Sequence, residues 1–124
     1  MIAADSSSLI AYFSGNSGKD VDLIELALET QSLVLPPVVL CEMLSDATMP
    51  ANMRHSLLLI PVLPIFDRYW ERAGKIRATL ISKKKRARLA DTLISQSCID
   101  SKVSLITRDS DFRHFAMYCD LIIA

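Results

Sequence analysis

At 124 residues the chain fits one domain of the usual ~100–200 residues, residues 1–124 together, and it can bury a core without disulfide or metal staples. Its 51% hydrophobic residues and mean hydropathy of +0.29 exclude intrinsic disorder, which needs a low apolar content. Fourteen Lys and Arg against fourteen Asp and Glu cancel, so no global basic field draws in nucleic acid, and polyanion binding must rest on a local patch or a bound cation.

The element order predicts alternating strands and helices. Met1 to Ala4 is apolar and reads as a first strand. Asp5 and three serines follow, side chains that accept free backbone N–H groups at a helix start, and a helix through Leu9, Ile10, Tyr12 and Phe13 is expected. Gly15 to Gly18 is a loop. Residues 20–31 suit a second helix, with Val21, Ile24, Ala27 and Leu28 at helical spacing. Leu33 to Leu35 is a brief buried strand stopped by Pro36. Pro37 is tolerated in the first turn of the next helix, expected over 37–46 and carrying Glu42.

After a loop around Pro50, a short helix is expected at 53–59 and a strand within 60–65. Asp67 is expected to cap a helix in which Tyr69, Ala73, Ile76 and Leu80 recur. A basic run, Lys83-Lys84-Lys85-Arg86-Ala87-Arg88, precedes a helix over 89–101. Residues 103–107 read as a strand, Asp111 as the cap of a short helix through Ala116, and 121–123 as a last strand. Such alternation predicts a three-layer α/β/α sandwich around a central, mostly parallel sheet. The longest uncharged apolar stretch, Leu57 to Phe66, is broken by two prolines and falls far short of the ~20 residues of a membrane span. The N-terminus has no secretory pattern. Three scattered cysteines (Cys41, Cys98, Cys119) form neither a disulfide framework nor a zinc ribbon, which suits a reduced, cytoplasmic protein.

The carboxylates carry the chemical information. Asp5 and Asp109 each lie just past a predicted strand, and open α/β sheets bind ligands beyond the carboxyl ends of their strands. Glu42 and Asp91 each interrupt an apolar neighbourhood on a helix. Half-buried, converging carboxylates are costly and raise one another's pKa; a hard divalent cation such as Mg²⁺ or Mn²⁺ removes both problems. Each acid also has a plain structural explanation. Asp5 suits a helix cap, Asp109 and Asp111 both suit turn or cap positions, with Asp111 before Phe112 a cap in its own right, and Glu42 and Asp91 suit partly exposed helix positions. Spacing alone does not show that they converge. His55 and His114 read as surface residues, Cys41 and Cys98 as small core residues, and Tyr69 and Trp70 as core or interface residues with base stacking as the alternative.

Four elements carry a resemblance. Asp5-Ser6-Ser7-Ser8-Leu9-Ile10 resembles the opening Asp-x-[Ser/Thr/Asn]-x-Leu-Ile of PIN-domain ribonucleases. Pro37-Val38-Val39-Leu40-Cys41-Glu42 is similar to their second element, Leu89-Ala90-Asp91-Thr92-Leu93-Ile94 to their third, and Leu105-Ile106-Thr107-Arg108-Asp109-Ser110-Asp111-Phe112 to their fourth, a strand ending in Thr-x-Asp-x-Asp-Phe. The compact size resembles the VapC-like toxins of bacterial toxin–antitoxin pairs. Ala4 departs from the larger apolar residue usual before the first acid.

The resemblance implies a PIN-like fold and a metal-dependent endoribonuclease, with Asp5, Glu42, Asp91 and Asp109 as catalytic, Mg²⁺- or Mn²⁺-binding acids. Asp111 would be an auxiliary ligand unless it is simply a cap. Ser7 and Thr107 would support the site through their hydroxyls, and cleavage would leave 5′-phosphate and 3′-hydroxyl ends. It also implies an RNA substrate, a small antitoxin partner and a homodimer.

Lys83, Lys84, Lys85, Arg86 and Arg88 end three residues before Asp91, where RNA phosphates can dock; the alternative is a solvated helix end favoured by the macrodipole. Two other functions stay open: a PIN-like interaction module without catalysis, and a haloacid-dehalogenase-type phosphatase. The latter needs a second Asp two residues after Asp5, where this chain has Ser7.

Overall fold

The computed structural model describes residues 1–124. Its centre is a parallel sheet in the order β2-β1-β3, made of β1 (Ile2–Ala4), β2 (Leu33–Val34) and β3 (Ser104–Ile106). Ala3 pairs with Val34 on one side and Leu105 on the other, and Ala4 pairs with Ile106. β1 is therefore interior, and its two alanines are fully buried between bulkier neighbours.

Seven helices surround the sheet: α1 (Ser6–Phe13), α2 (Lys19–Glu29), α3 (Pro37–Leu44), α4 (Ala51–Leu58), α5 (Tyr69–Ser82), α6 (Leu89–Ser101) and α7 (Arg113–Tyr118), the last preceded by a 3-10 turn, Ser110–Phe112. α1 packs on α2, and α6 packs on both α3 and α5. Leu9, Ile24, Val39, Leu57, Leu80, Ile94, Leu105, Phe112 and Phe115 are buried in one continuous core, each such side chain contributing ~1.5–3 kcal/mol by leaving water. This is the expected three-layer α/β/α arrangement. No helix is long and apolar enough to cross a membrane.

Several expectations for individual elements are corrected. The expected strands within 60–65 and at 121–123 reduce to single parallel bridges, Leu35 with Val62 and Leu105 with Ile123. Pro61 and Pro64 flank the first bridge and have no N–H to donate to a ladder. The second helix stops at Glu29, and Gln31 turns left-handed at φ 53°. α3 ends at Leu44. Asp67 does not cap α5; Arg68 does, in a left-handed conformation at φ 60° and without a side-chain hydrogen bond, while the Asp67 carbonyl accepts from Arg72. Nor is Asp111 a cap: that role falls to Asp109, whose Oδ1 accepts the Asp111 N–H at 2.9 Å. Cys41 is exposed rather than core. Tyr69 is buried, but Trp70 beside it is 64% exposed.

Candidate active site

The site begins where β1 ends. Asp5 turns the chain into α1 with extended backbone, and its Oδ1 accepts the Ser8 N–H at 3.2 Å, an N-cap bond. The same carboxylate has two further partners. Ser7 Oγ donates to Oδ1 at 2.8 Å, and Thr107 Oγ1 donates to Oδ2 at 2.7 Å. Thr107 Oγ1 also accepts the Asp109 N–H at 3.0 Å. β1 and β3 are parallel neighbours, so their carboxyl ends lie side by side, and this chain of hydrogen bonds laces them together.

Asp5 is 4% exposed. Burial raises its pKa, the bonds from Thr107, Ser7 and Ser8 pull it down, and the Asp109 charge pushes it up; the net effect is a rise.

Beyond the end of β3, Asp109 bends the chain into the 3-10 turn and brings Asp111 alongside. Asp91 approaches from the first turn of α6. One carboxylate oxygen from each of Asp91, Asp109 and Asp111 lies within 4.8 Å of the other two, and all three residues are half-buried. Burial, then the Asp109 charge, push Asp91 up to about 6; Arg88 opposes this, while Asp111 and Glu42 add to it.

Glu42 is exposed on α3, the solvent-facing one of its two expected settings, and its Oε1 accepts from Ser6 Oγ at 2.7 Å. The tight group thus consists of Asp91, Asp109 and Asp111. Asp5 and Glu42 stand outside it, coupled through charge to Asp109 and Asp91 respectively. No histidine or cysteine joins the group. Three anionic oxygens at this spacing fit a hard divalent cation, which takes oxygen ligands and neutralises their repulsion.

The basic run borders this group. α5 closes at Ser82, Lys84 turns left-handed, and the Arg77 Nε–H grips the Ala87 carbonyl at 2.9 Å, which fixes the loop. Lys83 lies over the Tyr118 ring, Nζ 5.0 Å from its centroid. Lys84, Arg86 and Arg88 are exposed and Lys85 is half-buried. Arg86 Nε comes within 3.8 Å of Asp111 Oδ2, a loose approach that leaves most of the site's negative charge uncompensated.

Two residues with no sequence expectation flank the site. Arg108, between Thr107 and Asp109, pairs with Asp20 at the start of α2. They are 88 positions apart, and no local pattern links them.

A family model described as PIN domain matches residues 2–117. No curated protein matches the chain in sequence. Among solved structures, the chain is similar to FitAB bound to an IR36 DNA fragment, with a TM-score of 0.75 and 19% identity over 100% of this chain and 94% of that one. It is similar to VapBC2 from Rickettsia felis bound to a promoter DNA fragment, with a TM-score of 0.75 and 17% identity over 100% and 98%. A toxin–antitoxin complex from Klebsiella pneumoniae gives 0.71 and 20% over 98% and 96%. At these identities the likeness is one of fold.

Proposed function

The chain belongs to the PIN domain family, and on that premise we propose that it is a Mg²⁺- or Mn²⁺-dependent endoribonuclease acting as the toxin of a toxin–antitoxin pair in the cytoplasm. The observation that carries this reading is the group Asp91, Asp109 and Asp111, whose oxygens crowd within 4.8 Å with little cationic compensation. These three would hold the ion, with Asp5 and Glu42 as the flanking acids. When bound, the ion activates water and neutralises charge on the phosphate during in-line displacement.

The protein's own groups do the rest. Ser7 and Thr107 hold Asp5 oriented, their hydroxyls opposing the rise in pKa that its burial causes. Glu42, fixed through one oxygen by Ser6, presents the other for a proton from the attacking water. Lys83, Lys84, Lys85, Arg86 and Arg88 dock the phosphates that flank the scissile bond, giving local affinity in a chain without net charge. The bond to the 3′ oxygen breaks, leaving 5′-phosphate and 3′-hydroxyl ends.

A small antitoxin and a second copy of the chain are the proposed protein partners. The toxin–antitoxin complexes among the structural neighbours support the first. Trp70, Ile81 and Leu89, exposed along one groove between α5 and α6, offer apolar surface for either.

The test is cleavage of a structured RNA by purified protein with Mg²⁺ or Mn²⁺, alongside calorimetric titration of the ion. Asp5→Asn and Asp109→Asn are expected to abolish cleavage. Equal cleavage by the variants would mean a contaminating nuclease and sink the proposal.

A further inference from the structure

We propose that the Asp20–Arg108 pair is a positioning clasp that holds the segment Thr107–Asp109 against α1, and so sets where Asp109 stands relative to Asp5 and Asp91. The inference rests on the nuclease reading above and names residues outside the acidic group.

The pairing is bidentate. Arg108 Nε donates to Asp20 Oδ2 at 2.7 Å, and Nη2 donates to Oδ1 at 2.9 Å, a geometry that adds direction as well as strength. Asp20 Oδ2 also accepts from Ser8 Oγ at 2.8 Å, so one carboxylate joins α1, α2 and the segment after β3. Arg108 is tied twice more: its backbone N–H donates to Ser7 Oγ at 3.3 Å, and Nη2 donates to the Ser17 carbonyl at 3.3 Å. Ser7 is the residue that also donates to Asp5.

The chain makes room for the pair at Gly18. A Cβ there would lie 2.6 Å from Asp20 Oδ1 and 2.9 Å from Arg108 Nη2, and its φ of +150° suits glycine alone. The guanidinium holds the Asp20 carboxyl well below the usual carboxylate range, so the clasp stays charged through neutral pH.

The need for a clasp follows from charge. Asp91, Asp109 and Asp111 repel one another in the metal-free protein, and Asp5 adds to the push on Asp109. That repulsion drives the segment carrying Asp109 outward. Thr107 holds it through one hydroxyl. Arg108, the residue between, holds it from the far side and puts no cation among the acids. The Arg108 side chain bonds Asp20 and the Ser17 carbonyl and none of the three acids of the tight group, so its role is positioning.

The test compares wild type with Asp20→Asn, Arg108→Ala and Arg108→Lys, by Mn²⁺ titration calorimetry, hydrogen exchange in the metal-free protein and RNA kinetics. Asp20→Asn and Arg108→Ala are expected to bind Mn²⁺ ~10-fold more weakly, at the low end of what loss of a group that orients metal ligands costs, because the clasp acts on Asp109 through the backbone. Amide exchange at residues 107–109 should quicken before any ion is added, and kcat should fall while KM stays nearly constant. Arg108→Lys keeps the charge but not the fork, and should recover only part of the affinity.

Unchanged Mn²⁺ affinity in both Asp20→Asn and Arg108→Ala would overturn the clasp, and so would full recovery by Arg108→Lys. If Arg108→Ala does not fold, Asp20→Asn and Arg108→Lys decide by the same criteria. Wild-type protein that binds no Mn²⁺ would overturn the nuclease reading itself, and the clasp with it.

Discussion

Replacing Asp91 by Asn removes a charge that the folded, metal-free chain holds at a cost. Burial and the neighbouring acids push this carboxyl from 3.8 up to about 6. At ~1.4 kcal/mol per tenfold, the ionised form is disfavoured by ~3 kcal/mol in the folded state relative to the unfolded one. Asp91 is only half-buried, so solvent screening reduces this to ~1–2 kcal/mol. The sign follows from the upward direction. Below 3.8 the group is protonated in both states and costs nothing. Between there and about 6 the folded chain keeps a proton that the unfolded chain has lost, so stability falls as pH rises. Above that the penalty is complete.

Asp91→Asn should therefore match wild type at pH ~4 and exceed it by ~1–2 kcal/mol at pH ~8 in the presence of EDTA, by urea unfolding. Saturating Mg²⁺ should reverse the order, because an ion at ~100 times its Kd adds ~2.7 kcal/mol to the wild type alone. A variant less stable than wild type at pH 8 without metal, or a gap that does not change with pH, would refute the reasoning.

Thr107→Val removes the donor to a buried carboxylate oxygen and the acceptor of the Asp109 N–H. It should cost ~1–3 kcal/mol in urea unfolding, largely recovered by Thr107→Ser. Changing Lys83, Lys84, Lys85, Arg86 and Arg88 to Gln should raise KM for RNA and flatten its dependence on salt by ~0.7 in the log–log slope for each phosphate no longer neutralised; an unchanged slope would remove the run from the RNA path. Iodoacetamide should label Cys41 fast in native protein and Cys98 only on unfolding. Cys41 is exposed, whereas burial pushes the Cys98 thiol up to about 12.

What the sequence reveals is local. α6 runs over Leu89–Ser101 as its apolar stripe predicts, and Asp5 is legible as a cap because it and three serines follow the apolar stretch Met1 to Ala4. The start of α5 is hidden because Arg68 caps it by backbone conformation alone, which leaves no side-chain signature. The apolar run around Val62 suggests a strand where only a bridge forms, although Pro61 and Pro64 already forbid a ladder there. Asp109 and Asp111 are both ordinary cap residues two positions apart, and local pattern cannot say which one caps; the 3-10 turn decides, and in doing so brings Asp111 into the tight group. Glu42 lies among apolar neighbours in sequence, and of its two readings the exposed helix position is the one found on α3. The Asp20–Arg108 pair depends wholly on tertiary structure, so no periodicity announces it.

The distribution of partners among the acids argues for what the site is built to receive. Away from it, two carboxylates are paired with arginine: Asp20 with Arg108, and Asp100 with Arg72. Within it, Asp5 receives two hydroxyls and a backbone N–H instead. The distinction is physical. A guanidinium stabilises a carboxylate by cancelling its charge, which would leave nothing to attract a cation. A hydroxyl stabilises it by hydrogen bonding and leaves the full negative charge in place. Asp91 and Asp109 receive less still, and the loose approach of Arg86 to Asp111 is the nearest ion pair. A chain with as many cations as anions has arginines enough to pair these acids. Only Arg86 approaches them, and loosely, which leaves a concentrated, oriented negative charge that a folded chain retains at some loss of stability when an ion is to fill it.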